Sequence, residues 1–115
     1  MIEWIPLTSI EQIADIARFS VEKPCLIFKH STRCTLSMIA QMRLEEEWDF
    51  LPDENKVYLL DLIRCPKVSA QVSEAFSVFH ESPQLLLIRD GECTYEASKE
   101  EICVSDLRDS YDFVF

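Results

Sequence analysis

The sequence predicts an α/β fold: four strands in one mixed sheet, with helices on both of its faces. Three observations carry this. Helix-like and strand-like segments alternate along the 115 residues. Two short runs, Cys25–Phe28 and Val57–Leu62, are almost wholly apolar, the pattern of strands covered on both faces. An Asp90-Gly91 pair, the strongest hairpin signal in the chain, joins two further strand-like runs.

Each element has its own justification. Ser9, with Gln12 three residues on, reads as a capping box opening the first helix. Ile10, Ile13, Ile16 and Ala17 give that helix an apolar stripe, and Pro24 separates it from the strand beginning at Cys25. From Thr35 the apolar residues Leu36, Ile39, Ala40 and Leu44 recur at helical spacing, until Leu51-Pro52-Asp53 ends the element. The strand Val57–Leu62 follows. Pro66 suits the first turn of a helix, where a missing N–H costs nothing, and Val68, Val72, Ala75, Phe76 and Phe79 form its apolar face. Gln84–Arg89 is the third strand. Glu92–Ala97 alternates in the manner of an exposed edge strand. Ser105 caps a last helix with Val104, Leu107, Tyr111 and Val114 on one side. A strand, a helix and a second strand form a parallel unit, and a helix and an antiparallel hairpin complete the thioredoxin-like order. Without repeats or a linker, residues 1–115 read as a single domain.

Composition narrows the function. There are 11 basic and 21 acidic residues, a net charge of −10, which disfavours nucleic acid and anionic membranes as partners. No basic-then-apolar export segment opens the chain, and no apolar run is long enough to span a bilayer, so the expected location is cytoplasmic. The five cysteines are an odd number without a C-x-x-C pair. Reduced thiols are therefore expected rather than a disulfide framework, and no metal site.

The stretch Phe28-Lys29-His30-Ser31-Thr32-Arg33-Cys34 places one cysteine between a strand and a helix, with Ser37 where a second cysteine would complete a dithiol motif. A second block, His80-Glu81-Ser82-Pro83-Gln84, runs into Leu85–Gly91. In these two blocks the chain resembles the thioredoxin superfamily, and within it the YtxJ-like proteins, called monothiol bacilliredoxins. The resemblance implies a small cytosolic redox protein with no bound cofactor. Its co-substrate is a low-molecular-weight thiol, bacillithiol, and its partners are S-thiolated cytosolic proteins. It further implies that Ser82–Pro83 is a cis bond facing the nucleophile, with Ser82 offering its backbone to a substrate strand. Thr32, Arg33 and Thr35 flank the nucleophile as substrate contacts. Some members carry proline directly after the nucleophile; Thr35 stands there in this chain.

The chemistry accounts for the pattern. Thiolate, not thiol, attacks disulfides, and a helix N-terminus, with its partial positive charge and unpaired N–H groups, favours the anion. A thiol tuned from a pKa of about 8.5 to about 6.5 gains roughly ninefold in thiolate near neutrality but loses roughly six- to tenfold in nucleophilicity. The larger benefit is that the stabilised sulfur leaves readily in the second step. With serine at position 37 the protein cannot resolve its own mixed disulfide, so an external thiol must do so. Ser37 is also a candidate hydrogen-bond donor to the Cys34 sulfur.

Cys65 is a candidate resolving residue because it follows the second buried strand, whose carboxyl end shares an edge with Cys34. Cys25, Cys93 and Cys103 read as small core hydrophobes. His30 and His80 read as packed or solvated histidines, and Glu45-Glu46-Glu47 as a solvated face. Trp48, Phe50, Phe113 and Phe115 read as a packing cluster. Three functions stay open: a monothiol oxidoreductase using Cys34, a thioredoxin-like module that binds without turnover, and a dithiol enzyme using Cys34 with Cys65.

Overall fold

The computed structural model describes residues 1–111. Val114 of the last helix, and Phe113 and Phe115 of the expected aromatic cluster, lie outside the described residues. The order of elements is β1 (Trp4–Pro6), α1 (Glu11–Phe19), β2 (Cys25–His30), α2 (Thr35–Glu47), β3 (Lys56–Asp61), α3 (Pro66–Ala75), β4 (Gln84–Arg89), β5 (Glu92–Ser98) and α4 (Val104–Tyr111).

The sheet has five strands in the order β1-β3-β2-β4-β5, one more than the sequence predicts. The extra strand, β1, pairs parallel with β3 through Trp4, Ile5 and Pro6. Three residues ending in proline carry no legible strand pattern, and proline is tolerated there because β1 is an edge. β2 runs parallel to β3 and antiparallel to β4, and β4 is antiparallel to β5. In the β4–β5 turn, Asp90 and Gly91 both take positive φ, 52° and 78°, as a two-residue hairpin turn of this type requires.

Alternation along the strands builds two cores. Leu26 and Phe28 of β2 pack with Leu85 and Leu87 of β4 against Ala40 and Leu44 of α2 and Leu107 of α4. Cys25 and Ile27 pack with Leu86 and Ile88 against Ile13 and Ile16 of α1 and Val68, Val72 and Phe76 of α3. Because the central strand β2 is covered on both faces, all six of its residues are buried.

Several boundaries differ from expectation. Only half of the Ser9 capping box forms. The Gln12 side chain accepts the Ser9 N–H at 3.0 Å and the Thr8 N–H at 2.8 Å, but the helix starts at Glu11 without a side-chain cap. α3 ends at Ala75, and Phe79, assigned to its buried face, lies beyond the helix at 91% exposure. Ile39 is also largely exposed, since α2 turns only Ser37, Ala40 and Leu44 inward. α4 begins at Val104, so Ser105 lies in its first turn, and a 3₁₀ turn at Lys99–Glu101 precedes it.

Candidate functional site

Strand directions bring the predicted site residues to one edge of the sheet. β2 and β3 are parallel, with His30 opposite Asp61, so the segments after them, carrying Cys34 and Cys65, leave from the same edge. β4 is antiparallel to β2, with Gln84 opposite Lys29, so the segment entering β4, with Ser82 and Pro83, arrives at that edge as well. The Ser82–Pro83 peptide is cis.

Cys34 is the N-cap of α2, in extended backbone geometry, and its side chain is half-buried. The turn before it is tight. The Cys34 N–H donates to the Ser31 carbonyl at 3.2 Å, and the Met38 N–H closes the first helical turn on the Cys34 carbonyl at 3.1 Å. The first turn of α2 contains no acidic residue, which leaves the partial positive charge of the helix terminus uncancelled. Thr32, Arg33 and Thr35 around the thiol are exposed.

Ser37 is fully buried. Its Oγ lies 2.6 Å from His30 Nδ1 and accepts the Ser31 N–H at 3.0 Å. With the ring neutral, the hydrogen bond between Ser37 Oγ and His30 Nδ1 runs in the direction that the ring tautomer sets. Burial pushes the His30 pKa below its ordinary value, which favours the same neutral form. Among the described residues no hydrogen bond joins Ser37 to the Cys34 sulfur. The hydroxyl instead ties the end of β2 to the start of α2 and shapes the loop between them. His30, which reads from sequence as a bystander, is thus the partner of Ser37, and its ring stacks on Phe28 with centroids 5.7 Å apart.

Cys65 mirrors Cys34 one strand over: it is half-buried and is the N-cap of α3, with Pro66 in the first turn. Its setting differs. The Asp61 carboxylate accepts the N–H groups of Ile63 and Arg64 at 3.0 and 3.2 Å, placing a negative charge in the turn before it. A cavity of about 390 Å³ opens there, with Leu7, Thr8, Asp61, Arg64 and Cys65 in its wall. The remaining thiols are set apart. Burial pushes Cys25 and Cys93 up to about 11, so both stay protonated at neutral pH, as small core hydrophobes would.

The segment before β4 is held by several contacts. The Gln84 side chain donates to the Phe79 carbonyl at 3.0 Å and to Glu96. The Lys99 N–H donates to the Pro83 carbonyl at 3.1 Å, and Lys99 Nζ pairs with Glu81 at 3.1 Å. Beneath it lies Lys29, a residue with no role in the sequence reading. The available signal was a lysine inside an otherwise apolar strand.

Among the described residues no group of three or more His, Cys, Asp or Glu side chains is placed to hold a metal, and no helix is long and apolar enough to cross a membrane. A sequence model of the family described as monothiol bacilliredoxin BrxC matches residues 5–107. The chain belongs to the monothiol bacilliredoxin family. Solved structures agree on the fold. A thioredoxin-fold protein described as an oxidoreductase superimposes with a TM-score of 0.80 at 25% identity, over 95% of this chain and 94% of that one. Thioredoxin from Trypanosoma brucei brucei gives 0.74 at 14% identity, over 95% and 88%. Thioredoxin from Malassezia sympodialis gives 0.72 at 15%, over 96% and 89%. Family and fold together assign the chain a thiol redox role.

Proposed function

We propose that the protein is a monothiol thiol–disulfide oxidoreductase that removes a low-molecular-weight thiol from protein mixed disulfides through Cys34. The Cys34 thiolate attacks the small-thiol sulfur of the mixed disulfide. A new S–S bond forms between Cys34 and the small thiol, the old one breaks, and the substrate cysteine leaves as thiolate and takes a proton. A second small-thiol molecule, as thiolate, then attacks the small-thiol sulfur of the adduct. A symmetrical small disulfide leaves, and Cys34 returns to the thiolate. In sum, one free small thiol is oxidised to the disulfide level, the small thiol first held in the mixed disulfide stays at that level, and one protein cysteine is reduced.

One observation carries the reading: a half-exposed cysteine at a helix N-cap, with a buried serine at the position where a resolving thiol would stand. Ser37 has no sulfur with which to displace the adduct, so the adduct must wait for an outside thiol. The contact residues are Thr32, Arg33 and Thr35 beside the thiol, and Ser82 and Pro83 on the segment that reaches the same edge. The family description favours bacillithiol as the small thiol. S-thiolated cytoplasmic proteins are the corresponding substrates.

The dithiol alternative draws on the placement of Cys65 at the N-cap of α3, leaving the same sheet edge as Cys34. One experiment separates the two. The reduced protein is incubated with bacillithiol disulfide, and the adduct is followed by intact mass and peptide mapping. A single stable adduct on Cys34, released by added thiol, is the expected result. An adduct that decays to an internal 34–65 bridge establishes the dithiol route, and no adduct on Cys34 at pH 7 refutes the oxidoreductase.

A further inference from the structure

Lys29 is fully buried in the central strand, on the α1–α3 face of the sheet that Cys25 and Ile27 share. Its Nζ lies 3.2 Å from the Ser69 carbonyl, 2.8 Å from Ser73 Oγ and 3.3 Å from His80 Nδ1. An ammonium has three protons to donate, and here three acceptors surround it, none of them a carboxylate. Burial pushes the Lys29 pKa down to about 8, which leaves it an ammonium at pH 7. For His80 to accept through Nδ1, its ring must be neutral. Burial and the neighbouring Lys29 charge both push His80 in that direction.

An ammonium buried with no carboxylate partner among the described residues weakens the fold, and an apolar side chain of similar length would fill the same space at less cost. A group so perturbed beside a cleft is a candidate for a role there. Two of the acceptors around Lys29 are on α3; the third, His80 Nδ1, which also lies 3.4 Å from Ser69 Oγ, belongs to the segment entering β4. Gln84, at the end of that segment, is the cross-strand partner of Lys29. Gln84 and Lys99 hold the same segment from within and from the β5 side. Lys29 holds it from the sheet.

We infer that Lys29 is a positioning residue: through His80 its side chain fixes the 80–83 segment, and so Ser82 and Pro83, at the edge of the sheet where Cys34 reacts. The inference rests on the reading above, in which Ser82 and Pro83 contact the thiolated substrate. Displacements of such contacts by an ångström are costly to rate even when the reacting group is untouched.

The test compares wild type, Lys29→Met, His80→Ala and the double variant in two reactions of Cys34. One is with a cysteine peptide thiolated by bacillithiol, the other with iodoacetamide, which is too small to use the segment. For Lys29→Met, kcat/KM for the peptide is expected to fall about tenfold, the worth of one hydrogen bond to a charged group, while iodoacetamide alkylation and the thermal midpoint do not fall. His80→Ala is expected to fall similarly, and the double variant no further than either single one, because the two side chains act as a unit. Unchanged peptide kinetics in Lys29→Met overturn the inference, as does full additivity in the double variant. If Lys29→Met fails to fold, unchanged peptide kinetics in His80→Ala, altered at an exposed residue, overturn it instead. A wild-type Cys34 that alkylates normally but never exchanges with the peptide removes the functional reading, and the inference with it. Wild-type turnover with indifferent variants removes the inference alone.

Discussion

Ser37→Ala isolates the role of the serine that stands where a second cysteine would. The side chain is fully buried and makes two hydrogen bonds, 2.6 Å to His30 Nδ1 and 3.0 Å from the Ser31 N–H. Alanine fits the space, so the loss is in hydrogen bonding. His30 is itself buried, and leaving its Nδ1 without a hydrogen-bond partner costs about 1–3 kcal/mol. The Ser31 N–H lies in a half-buried turn and adds about 1 kcal/mol. The expected destabilisation is therefore about 2–4 kcal/mol, read from urea unfolding as a lower midpoint with an unchanged m-value. A companion measurement locates the partner. In a double-mutant cycle with His30→Phe, removing the ring nitrogen should cost less once Ser37 is gone, giving a coupling of about 1–2 kcal/mol. A loss below about 0.5 kcal/mol for Ser37→Ala, or simple additivity with His30→Phe, would refute the assignment of this hydroxyl to the loop.

Further outcomes follow from the same contacts. Lys29 has a folded pKa of about 8 against an ordinary 10.5. The folded state therefore binds fewer protons between those values, and the stability of the wild type rises through that window by about 3 kcal/mol. Lys29→Met should be the more stable protein at pH 7, with an advantage that shrinks as unfolding is repeated up to pH 10; a constant difference would contradict this. His30 and His80 both have pKa values lowered by burial. Stability should hold above pH 6.5 and fall on acidification below it, as the unfolded imidazoles take protons that the folded ones resist, the buried His30 carrying more of the effect than the exposed His80; a flat midpoint from pH 7 to 5.5 would argue against rings held neutral by the fold. Phe79→Ser should leave the thermal midpoint within about 1–2 °C, because the ring is 91% exposed and changes at such sites are usually within about 0.5 kcal/mol. Cys65→Ser should leave the release of small thiol from a thiolated peptide unchanged, whereas Cys34→Ser should abolish it. Loss of turnover in Cys65→Ser would replace the monothiol cycle with the dithiol one.

The sheet was legible where pattern and burial coincide. β2, β3 and β4 are apolar because they are covered, and Asp90-Gly91 fixed the hairpin through a backbone that needs positive φ. What escaped was local structure set by tertiary context. β1 is three residues long and exists through its pairing with β3. Phe79 continues the spacing of α3, but the helix ends at Ala75 and Ser77 takes positive φ, which turns the chain away. At the site, the nucleophile and the proline segment could be placed from strand order. The hydrogen bonds could not. Ser37 with His30, and Lys29 with His80, join residues 7 and 51 positions apart, and nothing in the composition of a segment reports which side chain a buried hydroxyl or ammonium meets.

That hydrogen bonding bears on the proposed monothiol cycle. Cys34 and Cys65 cap successive helices after adjacent parallel strands, so position alone does not choose between them. Their turns differ. The Cys34 turn is closed by hydroxyls and backbone: Ser37 on Ser31, and Ser31 on the Arg33 and Cys34 N–H groups. The Cys65 turn is closed by the Asp61 carboxylate on two N–H groups. A neutral hydroxyl organises the first loop and a carboxylate the second. On the proposed reading, serine at position 37 does two things at once: it leaves no resolving sulfur there, and it supplies a neutral clasp for the loop that carries Cys34. A cysteine there would be a weaker hydrogen-bond partner for His30, so a dithiol version of this site would have to hold its loop some other way.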